Sequence, residues 1–469
     1  MADPKASNAK DNGSGQLVTG GTVYSYNKPV AVPDKTLQYV KEGKTTGENL
    51  GILDATLNDK NHNIKYYAVD ETTLPKLTNF NGKDYSNEKN DGAKGMGSMA
   101  AGFNTHADGI ASTVAGSYSG VINADGTSGL NGATALSYGT FNINQNTDTS
   151  KLVSGVANSI IGQANVTENS NAAIIYGAGN TVTNSYRDIT VPSESEVDLG
   201  KVEADIKKND MAAVIKDLQT AVPQSGGQVM VMGGGNNVDN AYMTQVNGVS
   251  NTVQGSGTEY DADSTQLNYI EGFYSKLENG KNDYIIGAHN TVTGKTTAQN
   301  QSNIVFGDNH KLTNTKNNLI LGSSDTADDE TTVSDVVSIG HNAKVSAEGG
   351  VAIGSGSEAT VAGKTVTGYD PTTGAASTTE TAVWKATNGA VSVGKADGSV
   401  TRQINGLAAG IKDTDAVNVA QLKKLGEAVQ SNTEKGLAGK ANVKADNIGA
   451  KLKDANGNPA SANDIKDNE

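Results

Sequence analysis

The sequence predicts a mostly β protein: a narrow parallel solenoid followed by a short α-helical coiled coil. Three observations carry this prediction. First, a glycine recurs behind a short apolar run at spacings of 14 or 15 residues, as between Gly162 and Gly177, Gly233 and Gly248, and Gly340 and Gly354. A strand advances roughly 3.3 Å per residue, so such a repeat holds two short strands and two tight turns, one coil of a thin roll. Second, the 469 residues include 56 glycines, five phenylalanines and one tryptophan, and only 35% are hydrophobic. That composition suits many turns and thin stacked cores rather than one large spherical core. Third, the period changes near the C-terminus, where Leu422, Leu425, Val429 and Asn432 are spaced 3, 4, 3, as the a and d positions of a coiled coil require.

The repeat occupies residues 95–362, after an irregular N-terminal tip or cap at 1–94 whose β-like pieces include Thr22–Tyr26 and Ile64–Tyr67. Its key glycines are Gly102, Gly116, Gly139, Gly162, Gly177, Gly233, Gly248, Gly287, Gly307, Gly322, Gly340 and Gly354. Such a glycine is expected to adopt positive φ or to be crowded by a neighbouring coil. Residues one and three before it, such as Tyr176 and Ile174, Met232 and Met230, Phe306 and Ile304, and Ile353 and Val351, share a face and are expected to fill the interior. Val182, Val238, Val253, Val292, Leu312 and Val345, five residues after it, are expected to open the second strand inward. The residue two before the glycine points the other way and is also apolar, as in Ile160, Ile175, Val231, Val246, Ile285, Val305 and Ile320. A strand apolar on both faces is buried on both faces. A thin roll buries only one, so the second face requires partner chains. Asn247 interrupts the inward series beside Gly248.

Three insertions interrupt the coils. At 186–226, Pro192 and Pro223 bracket two helical patterns, and Ser193 with Glu196 forms a capping box, so a helical hairpin is expected. At 254–282, Tyr260, Tyr269, Phe273 and Tyr274 cluster in sequence; aromatic residues are favoured anchors at interfaces, which makes these four the candidate receptor-binding residues. The third insertion, 323–335, is acidic. Residues 363–390 contain the turn Asp370-Pro371-Thr372-Thr373-Gly374, and Trp384 reads as a packing anchor.

The stretch 391–420 carries the most specific signal. It holds Val391-Ser392-Val393-Gly394, Thr401-Arg402-Gln403-Ile404, Ala408-Ala409-Gly410 and then Asp413-Thr414-Asp415-Ala416-Val417-Asn418-Val419-Ala420-Gln421-Leu422. This series resembles the neck of trimeric autotransporter adhesins, fibrous surface proteins of Gram-negative bacteria. Asn405-Gly406-Leu407 departs from the pattern, where an asparagine followed by valine is more usual. Gly368-Tyr369-Asp370-Pro371 and Trp384-Lys385 resemble the hairpin that connects head to neck in this family. The resemblance implies a homotrimeric left-handed parallel β-roll of the YadA-like head type, a neck, and a trimeric coiled-coil stalk beginning within 421–469. It implies a neck that locks three chains together, for which Arg402, Asp413, Asp415, Val419 and Leu422 are the candidates, with Arg402 pairing across subunits with Asp413 or Asp415. Val429-Gln430-Ser431-Asn432-Thr433 resembles the layer in which three core asparagines hold an anion, so Asn432 is the candidate for a chloride on the coiled-coil axis. The helix is expected to end near Gly436, with an irregular frayed end beyond it.

Composition narrows the function. The net charge is −14 with no basic stripe, which argues against nucleic acid and anionic membranes. With no cysteine there is no disulfide, thiolate metal site or cysteine nucleophile. The histidines His106, His289, His310 and His341 follow repeat glycines without metal-ligand spacing and read as surface turn residues. No signal peptide is visible at Met1, and the C-terminal membrane anchor such an adhesin needs is missing. The chain therefore reads as a fragment, a head with the start of a stalk, from an outer-membrane-anchored protein at the bacterial cell surface. The resemblance implies a non-enzymatic adhesin, without metal or other cofactor, that binds a host matrix protein or a carcinoembryonic-antigen-related type of receptor. Autoaggregation or a spacer role through head–head contact is the alternative. A β-helix acyltransferase is remote, because its six-residue period and singled-out histidine are absent.

Overall fold

The computed structural model describes residues 46–58, 87, 90–123, 131–147, 153–187, 208–213, 215–216, 226–257, 260–326 and 330–449. The β-like pieces expected at Thr22–Tyr26 and Ile64–Tyr67 lie outside the described residues, as does most of the helical pair expected at 186–226. Of that insertion, 211–213 and 215–216 are helical, and Asp210 accepts the Ala213 N–H at 3.1 Å. Before the roll, Thr46–Asn58 forms a helix.

Among the described residues the coils stack their strands in chain order into two parallel sheets, 14 strands in the first and 11 in the second, while Lys344–Val345 and Glu358–Ala359 of the last coils pair separately. The register is glycine on glycine: Ile160 pairs with Ile175 and Gly162 with Gly177, and one coil on Val231 pairs with Val246 and Gly233 with Gly248. A single coil shows the plan. The strand Ile174–Ala178 ends at Gly179 (φ +68°), the strand Thr181–Thr183 follows, and Asn184 (φ +51°) turns the chain again. Left-handed residues at both corners let two short strands close a coil in so few residues.

The core corrects the expected facing. Ile160, Ile175, Val231, Val246, Ile270, Ile285, Val305 and Ile320, two before the glycine, form one buried layer. Val182, Val238, Val253, Leu277, Val292 and Leu312, five after it, form the opposing layer. Residues one and three before the glycine face outward instead; Tyr176 is 60% exposed and Ile174 46%. The inward positions hold isoleucine and valine packed against the valines and leucines of the second sheet, while tyrosine, phenylalanine and methionine stand on the outer face together with further isoleucines such as Ile174 and Ile304. Asn247 is therefore not a break in the core; it stands on the outer face.

The glycines form a column because nothing else fits. A Cβ on Gly162 or Gly177 would lie 1.8 Å from the carbonyl oxygen of the next glycine, and both have φ well above +120° (+133° and +143°). That carbonyl is turned toward a ladder of asparagines. Asn142, Asn165, Asn180, Asn236 and Asn251, three residues after successive glycines, are buried. Asn165 Nδ2 donates to Gly177 O at 2.8 Å, and its Oδ1 accepts Asn180 N and Nδ2, each at 3.0 Å. The same contacts repeat from Asn165 to Asn251, so each of these rungs satisfies the next.

A second ladder lines the opposite corner. Asn268, Asp283, Asn303 and Asn318 precede successive strands of the first sheet and are buried. Asp283 Oδ1 accepts Asn303 N at 2.8 Å and Nδ2 at 3.0 Å, while its Oδ2 has no hydrogen-bond partner. Burial pushes the Asp283 carboxyl up to about 7. A protonated carboxyl can donate where the neighbouring asparagines use their amide N–H groups.

The second insertion is smaller than expected. Within 254–282, Tyr269–Phe273 and Lys276–Glu278 are regular strands of the two sheets, and Gly272 (φ +152°) belongs to the glycine column. Glu271 beside it disguised this coil. In the third insertion, Glu330–Thr331 likewise pairs with the roll. Past the roll, Tyr369–Asp370 and Ala375–Ala376 form the expected antiparallel hairpin, and Gly368 N donates to Trp384 O at 2.6 Å. The C-terminal helix runs from Val419 to Gly449, straight through Gly436. An interior glycine costs a helix about 1 kcal/mol, which weakens but does not end it.

Candidate adhesive surface and neck

The four candidate aromatic residues do not form one patch. Tyr260 is a brace: its ring lies edge-on to the fully buried Tyr242 at 5.0 Å, and the Arg187 guanidinium carbon stands 4.2 Å above its centroid. It thereby ties the start of the first insertion to the second, and its hydroxyl donates to Gln266 Oε1 at 3.1 Å. Tyr269 lies on the outer face of the first sheet, where its hydroxyl donates to Glu271 at 2.6 Å. Phe273 and Tyr274 follow Gly272 around the corner and are 52% and 59% exposed. Tyr274 has φ +54° and stacks on His289, with centroids 5.3 Å apart and planes 6° apart. Left-handed backbone at tyrosine is unfavourable, and here it sets an aromatic pair on the roll's edge.

The outer face of the first sheet is a larger feature. Apolar pairs of outward side chains recur along the sheet: Leu136 and Tyr138, Ile174 and Tyr176, Met230 and Met232, Tyr284 and Ile286, Ile304 and Phe306. The stripe continues through Val351 and Ile353 to Val391, the last rung before the neck. It is far more continuous than the scattered apolar residues a soluble surface normally carries.

The neck begins by capping the roll. Arg402 Nη1 donates to Val393 O at 2.6 Å and Ser357 Oγ at 2.9 Å, and Nη2 donates to Ser355 O at 2.6 Å. Its guanidinium covers Gly354, where a Cβ would lie 2.7 Å from the guanidinium carbon. In the preceding coils the next glycine occupies that place, so Arg402 ends the column. Asp415 Oδ2 accepts Ile411 N at 2.9 Å and Lys412 N at 3.0 Å, which holds its carboxyl below the usual range. Within the chain, no ion pair joins Arg402 to Asp413 or Asp415; both Arg402 and Asp415 are engaged locally.

The stalk helix starts with a capping box that sequence reading passed over. Asn418 Oδ1 accepts Gln421 N at 3.0 Å, and Gln421 Oε1 accepts Asn418 N at 3.2 Å. The N-x-x-Q spacing in Asn418-Val419-Ala420-Gln421 was the available signal. Gln421 also exchanges two hydrogen bonds with Gly410, 2.9 and 3.1 Å, tying helix to neck. Val419, Leu422, Leu425 and Val429 are all more than half exposed, a seam that no described residue of the chain covers. Asn432 lies in the same helix and is exposed.

Two histidines are not surface residues. His106 is buried, with Nε2 2.7 Å from Asp108 Oδ1. His310 occupies a rung of the first ladder: its N–H donates to Asn290 Oδ1 at 3.0 Å and its Nε2 contacts Gly322 O, as an asparagine amide would. Burial pulls the His310 pKa down, consistent with a neutral ring. Among the described residues no group of acidic or histidine side chains could hold a metal ion, and no helix is long and apolar enough to cross a membrane.

Comparison with known proteins agrees with this geometry. The family described as the coiled stalk of trimeric autotransporter adhesin matches residues 403–445, the neck and the helix. The chain is similar to the autotransporter adhesin BadA of Bartonella henselae, 57% identical over 60 residues, covering 13% of this chain and 2% of that protein. It is similar to the trimeric autotransporter adhesin AtaA of Acinetobacter sp. (strain Tol 5), 52% identical over 61 residues, 12% of this chain and 2% of that protein. It is also similar to the adhesin YadA of Yersinia enterocolitica, 60% identical over 52 residues, 10% of this chain and 11% of that protein. The chain thus spans no more than 11% of the length of these relatives. Over residues 403–445, the end of the neck and the helix, the chain is thus similar to the coiled stalk of trimeric autotransporter adhesins.

Proposed function

We propose that this chain is the head and early stalk of a bacterial surface adhesin, working as a homotrimer of left-handed β-rolls. One observation carries the reading: the exposed apolar stripe of the first sheet runs down to Val391 and passes, through the neck, to the exposed seam of the stalk helix. Both surfaces need partners, and three copies around one axis supply them to both. The head then binds host matrix or cell-surface receptor proteins, with weak single contacts multiplied by three. The full-length protein is held at the outer membrane.

Within this reading Phe273 and Tyr274 are the receptor-facing aromatic residues, since Tyr260 braces the insertions and Tyr269 belongs to the stripe. Arg402, Asp413, Asp415, Val419 and Leu422 act as the neck lock, with Arg402 clamping each roll to its own neck. Asn432 faces the stalk axis and holds a chloride with its two symmetry mates; bromide-soaked crystals test this through an anomalous peak on the axis.

The purified chain is tested on a panel of host proteins and on whole bacteria. Binding to a host protein that Phe273→Ala with Tyr274→Ala abolishes supports the receptor reading. Binding confined to its own kind favours autoaggregation instead. Light scattering that gives a 48.1 kDa particle overturns the trimer.

A further inference from the structure

The outward stripe of the first sheet has one level that does not fit. Apart from the small Thr113 and Ser159, its outward positions are apolar until two adjacent strands present Gln245 and Asn247, then Tyr269 and Glu271. The rungs on either side return to Met230 and Met232, and to Tyr284 and Ile286. Within the chain this level is half satisfied. The Tyr269 hydroxyl donates to Glu271, and that carboxylate, aided by burial, holds the phenol above its usual pKa, opposed by a hydrogen bond with Asn247. Asn247 Oδ1 is shut off from solvent and has no hydrogen-bond partner.

We propose that Gln245, Asn247, Tyr269 and Glu271 form a polar recognition layer through which three copies of this chain hydrogen-bond to one another inside an otherwise apolar contact. This rests on the three-chain reading above. The occupant of the stripe is a second copy because the stripe is continuous, at Val391, with the neck and stalk matched to a trimeric family. The donor inventory fits the same partner. Asn247 Oδ1 lacks a donor, the exposed Glu271 carboxylate can accept beyond its bond from Tyr269, and the Gln245 amide carries two N–H groups. A carboxylate buried among apolar side chains is costly unless it is hydrogen-bonded. A copy displaced by one coil toward the neck, or by two coils the other way, would set Glu271 against Ile286 or Met232. The layer therefore favours aligned copies of this chain and rejects a foreign stripe that is apolar throughout.

Thermal melting and light scattering on the full chain test this. Glu271→Ile is expected to lower the trimer's melting temperature by several degrees or to leave the chain monomeric, because it strands the donors of the layer. The fourfold change Gln245→Ile, Asn247→Ile, Tyr269→Phe and Glu271→Ile removes donors and acceptors together, and is expected to melt at or above the wild type. That recovery is the non-additivity that groups in mutual contact produce. A trimeric wild type whose melting Glu271→Ile leaves unchanged, or in which the four single effects simply add, overturns the layer alone. A monomeric wild type overturns the three-chain reading and the layer with it.

Discussion

The roll and the stalk satisfy their side chains in opposite ways. In the roll, each coil meets the next coil of the same chain: glycine on glycine, asparagine on asparagine, isoleucine on valine. In the helix Val419–Gly449 the apolar residues Leu422, Leu425 and Val429 stay more than half exposed among the described residues. The roll's interior is therefore a property of one chain, whereas the stalk's interior must be made by several. The outer stripe of the first sheet is the part of the roll that behaves like the stalk.

The largest break in this comparison comes from the glycine column. Gly177→Val sets a branched side chain where even a Cβ lies 1.8 Å from Gly233 O, at φ +143°. The expected cost exceeds about 4 kcal/mol, and circular dichroism should show β structure lost on expression or at low temperature. Gly436→Ala, in the stalk where nothing lies within 4 Å, should instead stabilise by up to about 1 kcal/mol. Equal effects would remove the distinction between the two regions.

Asp283 sharpens it next. Its folded pKa, near 7, lies above the unfolded value near 3.8. Between those values the folded state binds the proton and the unfolded state does not, so the roll loses stability as pH rises from about 4 to about 7, then levels off. The loss is on the order of a few kcal/mol. Asp283→Asn restores a ladder amide and should flatten this profile in urea melts across that range; an unchanged profile would show that Asp283 is ionised in the fold.

Asn180→Ala leaves Gly233 O and the amide of Asn236 without their partner, at an expected cost of roughly 2–3 kcal/mol measured by denaturant unfolding. At the junction, Arg402→Ala uncaps the column. Hydrogen exchange should quicken at 351–359 while central coils stay protected, and the melting temperature should fall by only a few degrees. Smallest is Gln421→Ala, about 1 kcal/mol, seen as fraying of the first stalk turn.

Much of this was legible along the chain. The 14 and 15 residue spacings give the coil, and the 3, 4, 3 spacing gives the stalk. The order Thr401-Arg402 to Asn418-Val419-Ala420-Gln421 gives the neck. What misled was the strand apolar on both faces. Alternation alone assigns Tyr176 and Ile174 to one side and Ile175 to the other without saying which is inside. That is decided only when the second sheet, with Val182, Val238 and Leu277, closes over one of the two faces. Glu271 hid a regular coil, because an acidic residue beside the glycine reads as an insertion until the register of Asn247 with Glu271 shows both on the outer face. The Tyr260 brace was invisible for another reason: Arg187 and Tyr242 lie far from it in sequence.

By itself the sequence determined what local rules control: the period, the left-handed glycine corners, the neck signature and the seam of the stalk. These follow from backbone sterics and from spacing, which a chain carries wherever it is read. The tertiary structure decided which face is interior, that asparagines rather than apolar residues hold the corners, and that Arg402 closes the column above Gly354. Those facts depend on which face the second sheet covers and on the coil stacked above, neither of which exists until the coils are stacked.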